Sequence, residues 1–226
     1  MDKDKKEVKS RRERTLMKIG VLGIDHCEWL PLIEGYEIIK TEEQICKRFL
    51  ASFFSAMLAC DFSSDHEFFE TEGREIINSF IERYNVQDAL YPDEKKILTG
   101  ECDERLAVNV SWTVESSYTL MWVLGFVTSE ELEAPGDGCD TNAMVKFVQQ
   151  FENFEEFRAA CKMRTASEIL DMIDLYYNIH WACVDHRLNP KTNCGEFNEE
   201  VVMERRKALE WIISEENDWN EISLDT

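Results

Sequence analysis

Apolar positions recur at three- and four-residue intervals along almost the whole chain, the signature of helices with one buried face. No segment alternates with a period of two, and no Asn-Gly or Asp-Gly turn joins strand-like runs, so a sheet is not expected. Thr41-Glu-Glu-Gln44 is a capping box that opens a helix with Ile45, Phe49, Phe53, Ala56, Met57 and Cys60 facing inward. Ser64-Asp-His-Glu67 reads as a second box, ahead of Phe69, Ile76, Ile77, Phe80, Ile81 and Tyr84. Pro92 suits the first turn of a short helix that ends near Gly100. A long helix follows from about Asp103 to Leu124, with Gly125 as its C-terminal cap. Asp140 and Asn153 are N-caps for two shorter helices. Thr165-Ala-Ser-Glu168 opens a helix running to about Arg187, and Asn198 caps the last one. The pattern therefore predicts an all-α, single-domain bundle of about eight helices over residues 19–226. Pro135-Gly-Asp-Gly138 reads as a surface loop, and residues 1–18 as a frayed, solvated end.

The helix beginning at Thr165 carries the most information. At 100° per residue, Ile169, Met172, Ile173, Tyr176, Ile179, His180, Cys183 and Val184 share one face. Asp171, Asp174, Asn178 and Asp185 form a stripe on the other. Such carboxylates suit acid–base chemistry or a hard cation, but they equally suit a solvated face or ion pairs with Arg205 and Arg206. His180, in the apolar face, reads as a core histidine bonded to a carbonyl or to Tyr176. The spacing His180-x-x-Cys183-x-x-His186 would let two of the three residues ligate zinc, with Asp174 or His66 completing the set.

Charge changes the picture most. The chain has 25 basic and 46 acidic residues, for a net charge of −21. Residues 1–18 hold eight of the basic and four of the acidic side chains, so the remainder is strongly acidic. A surface of that sign repels phosphate backbones and anionic lipid and favours a basic protein partner. Nucleic acid and membrane are therefore not expected as partners. The longest apolar run, Leu120–Val127, is far short of the ~20 residues of a membrane span. The first 18 residues lack the apolar region of a secretory signal, so a cytoplasmic location is expected. The eight cysteines form no Cys-x-x-Cys and read as small buried hydrophobes. There is no phosphate loop, dinucleotide fingerprint, His-Glu-x-x-His or Gly-x-Ser-x-Gly, and no cofactor is expected.

Several ordered segments carry a family resemblance. They are Arg11-Arg-Glu-Arg-Thr15, Leu30-Pro31, Trp122-Val-Leu-Gly125, and Tyr176-Tyr-Asn-Ile-His-Trp-Ala182 with Asp174 before it and Asp185-His-Arg-Leu188 after it. Glu204-Arg-Arg-Lys-Ala-Leu-Glu-Trp211, Asp218-Trp219 and Ser223-Leu-Asp-Thr226 complete them. Together they resemble the bacterial family catalogued as domain of unknown function 4272. The resemblance implies an all-helical single domain and supplies no activity. It implies that a shared site would use Asp174, His180, Trp181, Asp185, Glu204, Arg205 and Trp211. In the family pattern Cys183 and His186 are ordinarily replaced by residues that bind no metal, which opposes the zinc reading. The expected function is non-catalytic binding of a basic partner, as in an acidic immunity-type protein. The alternative is a hydrolase built on Asp174, His180 and Asp185, with Arg205 steadying an anion. A buried polar network joining the last two long helices to the tail is the structural alternative for the same residues.

Overall fold

The structure is a computed structural model that describes residues 2–136 and 138–225, with side chains from Lys6 onward. Asp137 of the Pro135–Gly138 break and Thr226 of the closing motif lie outside the described residues.

The protein is all-α. Its elements, in chain order, are α1 (Asp2–Leu22), α2 (Glu42–Ser64), the single turn α3 (His66–Phe68), α4 (Arg74–Arg83), α5 (Pro92–Thr99) and α6 (Glu104–Val123). They continue with α7 (Ser129–Glu133), α8 (Thr141–Val148), α9 (Phe154–Ala160), α10 (Ala166–Leu188) and α11 (Glu199–Ile212). Among the described residues there is no strand, only an isolated parallel bridge between Gly136 and Phe197.

Local chemistry explains most helix ends. Thr41 and Thr165 form full capping boxes with Gln44 and Glu168. Asp103, Asp140, Asn153 and Asn198 each accept a first-turn amide. Gly100 and Gly125 follow their helices in the left-handed region, at φ 84° and 86°. A Cβ at Gly125 would stand 2.4 Å from the Lys162 carbonyl, whose own amide donates to Leu124 O at 2.9 Å. Only glycine permits that approach.

Three sequence expectations need correction. The second cap is Asp65, which accepts from Phe68 N, while Ser64 Oγ donates back to Cys60 O and finishes α2. The chain then passes through a π-helical turn, Phe69–Gly73, before α4. Residues 2–18, the described part of the expected frayed end, are helical within Asp2–Leu22, and Arg11 and Arg12 are buried. Their partners lie some 160 positions along the chain, which local pattern does not reveal. Finally, Cys46, Cys183 and Cys194 are buried, whereas the other five cysteines are half-buried, and all eight are free thiols.

The helices sort into two compact units, each drawn from separated stretches of chain. One comprises residues 41–128 and 139–163. In it α2 packs against α6 along its length, and aromatic side chains fill the interior. Phe49 stacks on Phe53 and on Phe157, and Phe126 meets Phe147, Phe151 and Phe157. The other unit comprises residues 1–40, 129–138 and 164–226. There α10 is the central helix, with α1 and α11 packed against it. The residues singled out from the long helix at Thr165 belong to this unit.

Candidate functional site

Helix α10 is packed on two sides, so the middle of its carboxylate stripe is desolvated, while Asp171 and Asp185 at the ends stay partly exposed. Asp174 is 1% exposed and Asn178 is fully buried. A carboxylate in that setting needs a cation, because the desolvation of an unpaired charge costs several kcal/mol. The cation comes from α1, not from Arg205 or Arg206, the pairing that the sequence left open beside a solvated face. Arg12 Nη2 donates to Asp174 Oδ1 at 2.7 Å, and Nε reaches both oxygens at 3.1 and 3.2 Å. One turn earlier, Asp171 receives Arg11 Nε at 3.0 Å and Arg14 Nη2 at 2.7 Å.

The same arginines hold the irregular segment that follows α1. Arg12 Nη1 donates to Leu30 O at 3.0 Å and Nη2 to Pro31 O at 2.8 Å, while Arg11 Nη1 donates to Ile33 O at 2.8 Å. Pro31 and the left-handed Gly23 and Gly35 keep these residues out of a helix, so their carbonyls need outside donors. Planar guanidinium forks meet the carboxylate and the carbonyls at once, which an ammonium cannot do. Ile24, Leu30 and Ile33 turn inward and anchor the segment. Trp29, Leu32, Tyr36 and Ile39 turn outward, and Trp29 is 88% exposed. Asp25, Glu28, Glu34 and Glu37, between them, are exposed as well.

On the other side of α10, α11 supplies a second set. Arg205 Nη1 donates to Leu132 O at 2.9 Å and to Tyr176 Oη at 3.3 Å, and Tyr176 Oη donates to the same carbonyl at 2.6 Å. Arg206 Nη1 donates to His180 Nδ1 at 2.9 Å and also reaches Leu224 O, while its Nη2 reaches Asp225 O. The guanidinium lies over the Tyr177 ring, 4.5 Å from the centroid, and its Nε pairs with Glu210. The tail is thus tied down by Arg206. Trp219, fully buried edge-on against Trp211, secures it further. Glu204 accepts from Lys207 at 2.6 Å.

His180 is therefore neither bonded to a carbonyl nor to Tyr176. A guanidinium has no acceptor, so Nδ1 is the unprotonated nitrogen. Burial, and then the positive charges of Arg206 and Arg187, push its pKa down to about 4. The residue stays neutral near pH 7 with its Nδ1 lone pair occupied. Burial likewise pushes the Cys183 thiol up to about 12, with Cys194 adding to the effect. His186 Nδ1 faces Thr192 O. The spacing His180-x-x-Cys183-x-x-His186 thus does not become a zinc site. Among the described residues, no group of three or more His, Cys, Asp or Glu side chains could hold a metal.

The structure gathers the sequence candidates along α10 and α11 without converging them on one opening. Asp174 faces α1, while His180 and Arg205 face partners in α11, α7 and the tail. Asp185 is half-buried with no side-chain partner among the described residues. Two open depressions do occur in this unit, and both are flanked by Tyr36. One, of about 280 Å³, lies beside Glu7, Ile33, Glu37 and Leu170. The other, of about 240 Å³, lies beside Glu210, Ile213, Glu216 and Glu221. Neither contains Asp174, His180, Asp185 or Arg205. Sequence reasoning missed Trp29 and Tyr36. The signal available was the stretch of residues 29–36, apolar apart from Glu34 and broken by Pro31 and Gly35, with Glu28 and Glu37 at its ends and no helical period.

No described helix is long and apolar enough to cross a membrane. Searches of the curated proteins and of the solved structures give no match. A family model does match, over residues 9–222, which takes in Arg11, Arg12, Leu30-Pro31, Asp174, His180, Arg205, Arg206 and Trp219. The chain that builds this arginine-held frame belongs to the family described as Domain of unknown function (DUF4272).

Proposed function

We propose that this protein works by binding a basic protein partner rather than by catalysis, and that the segment Gly23–Lys40 forms the contact. The observation that carries this reading is Tyr36, an exposed aromatic between two depressions, one bordered by Glu7, Glu37 and an Arg11 already paired with Asp171, the other by Glu210, Glu216 and Glu221. An aromatic anchor with acidic recesses on either side suits a strand or helix that presents alternating apolar and Lys or Arg side chains. The partner's apolar groups would meet Tyr36, Leu32 and Trp29, and its cations the recesses. A net charge of −21 would hasten the encounter. A pairing of the immunity type is one form such an interaction takes. The buried arginines act indirectly here, by fixing the backbone that displays the contact residues.

The test is a titration of the full chain with an amphipathic Lys/Leu peptide, read by calorimetry at two salt concentrations. Tyr36→Ala and Glu37→Lys are expected to weaken binding at least fivefold, and raised salt to weaken it further. Glu75→Lys, an equal charge change at an exposed position in the other unit, is the control. If Glu75→Lys weakens binding as much as Glu37→Lys, attraction is merely general and the assigned surface is wrong.

A further inference from the structure

The unit of residues 41–128 and 139–163 contains an apolar cavity of about 250 Å³ between α2, α4 and α8. Its walls are largely aromatic. Phe54 stacks on Phe80 with centroids 5.5 Å apart, and Tyr84 tilts against Phe54 at 5.4 Å. Val145 and Val148 from α8 and Met57 from α2 complete the lining. The Tyr84 hydroxyl donates to the carbonyls of Val148, at 3.2 Å, and Phe151, at 2.7 Å. It therefore offers the cavity its ring and no free polar group.

Two polar side chains border the cavity, Arg83 and Gln149, and both are exposed. The Arg83 guanidinium sits 5.0 Å from the centroid of the Phe80 ring, at the edge of the aromatic wall. It makes no ion pair among the described residues, although acids outnumber bases 46 to 25 in this chain. An apolar chamber with a cation and an amide at its mouth complements a molecule with an apolar body and one anionic head. Apolar cavities of about 150 Å³ admit a single aromatic ring. This one has room for a ring with a short chain, and it lies below the ~300–1,000 Å³ usual for larger ligands.

We infer that this cavity is a binding site for a small apolar monocarboxylate, with the carboxylate on Arg83 and Gln149 and the hydrocarbon among Phe54, Phe80 and Val145. This site is independent of the surface around Tyr36 and does not require a protein partner. It has its own test, calorimetric titration of the full chain with 4-phenylbutyrate and with its uncharged analogue 4-phenylbutan-1-ol. The acid is expected to bind saturably with one site, about fivefold tighter than the alcohol, as one charged contact at a partly exposed position allows. Arg83→Gln should erase that preference while leaving the alcohol's affinity unchanged. Val145→Phe, which fills the chamber from its half-buried rim, should weaken both ligands. No saturable binding, equal affinity for acid and alcohol, or an Arg83→Gln protein that still prefers the acid would each overturn the assignment. Because Arg83 is exposed, its substitution tests the proposal even where Val145→Phe impairs folding.

Discussion

The two units reach compactness by different means. In the unit of α2 and α6, the buried charged residues are Arg48, Glu94 and Glu115, and interlocking phenylalanines fill most of the interior. In the unit of α10, seven charged side chains and one histidine are buried among the described residues: Arg11, Arg12, Lys40, Asp174, His180, Glu204, Arg205 and Arg206. The difference follows from what each unit must hold. The first is built mostly from helices that satisfy their own backbones, so apolar contact largely suffices, with Arg48 and Tyr84 meeting the few irregular carbonyls at Ala89, Val148 and Phe151. The second includes the irregular Gly23–Lys40 and the tail after α11, whose carbonyls have no helical partner. Buried guanidinium groups supply those missing donors, at Leu30, Pro31 and Ile33 and again at Leu224 and Asp225. A polar frame of this kind is sensitive to losing one member, because the partner left behind is a buried charge.

The largest effects should come from breaking each kind of interior. Arg12→Ala should cost about 3–5 kcal/mol by leaving Asp174 unpaired, measured by urea denaturation. Phe157→Ala should cost a similar ~3–5 kcal/mol by opening a cavity among Phe49, Phe126 and Phe151. The second-site response separates them. Adding Asp174→Leu to Arg12→Ala should recover part of the loss, since it removes the orphaned charge. If it recovers nothing, the carbonyl contacts at Leu30 and Pro31 carry the whole effect.

Acidification should single out the polar unit. His180 has its pKa depressed from 6.5 to about 4 in the folded state, so below pH 6.5 the unfolded chain binds the proton more readily. The stabilisation is complete above about pH 6.5 and is lost as pH falls toward 4, amounting to about 2 kcal/mol by pH 5. His180→Gln should remove that part of the pH dependence, as seen by comparing denaturation midpoints at pH 7 and pH 5. An unchanged slope would mean that burial and Arg206 do not hold the imidazole neutral.

The smallest effect should be blind to the comparison. Thr41→Ala and Thr165→Ala remove matching capping boxes, one in each unit. Each should cost about 1 kcal/mol, because a cap is a local device that does not depend on the interior behind it. A markedly larger loss at Thr165 would show that the start of α10 is coupled to the arginine frame.

Helix identity and helix ends were legible in the sequence because they rest on neighbours within one turn. The boxes at Thr41 and Thr165, Pro92 at the start of α5, and Gly125 after α6 all answer to spacing alone. Of the ten α-helices of five residues or more among the described residues, two were not anticipated. The charges of α1 resemble those of a solvated end, and α7 is only the five residues Ser129–Glu133. The residues of the polar frame were visible as well. Asp174, His180, Glu204 and Arg205 were candidates, and Arg11, Arg12 and Leu30-Pro31 stood out among the motif segments.

What the sequence determined by itself, then, was the all-α character, the helix boundaries set by caps and glycines, the acidic charge, and which polar residues stand together on α10. Those properties depend on composition or on interactions within a few positions. Only the tertiary structure decided which cation meets which carboxylate. Asp174 could have paired with Arg205 or Arg206 on the grounds of charge, but takes Arg12, 162 positions away. It also decided that His180 would be neutral, that Tyr36 would stand between two acidic recesses, and that Arg83 would sit over an aromatic wall. The pairing of Asp174, the neutrality of His180 and the place of Tyr36 depend on the meeting of segments distant in sequence, whereas Arg83 and Phe80 are neighbours on α4 and only the wall they join is tertiary. Burial and the exchange of partners at such meetings set the energies, and no local pattern encodes them.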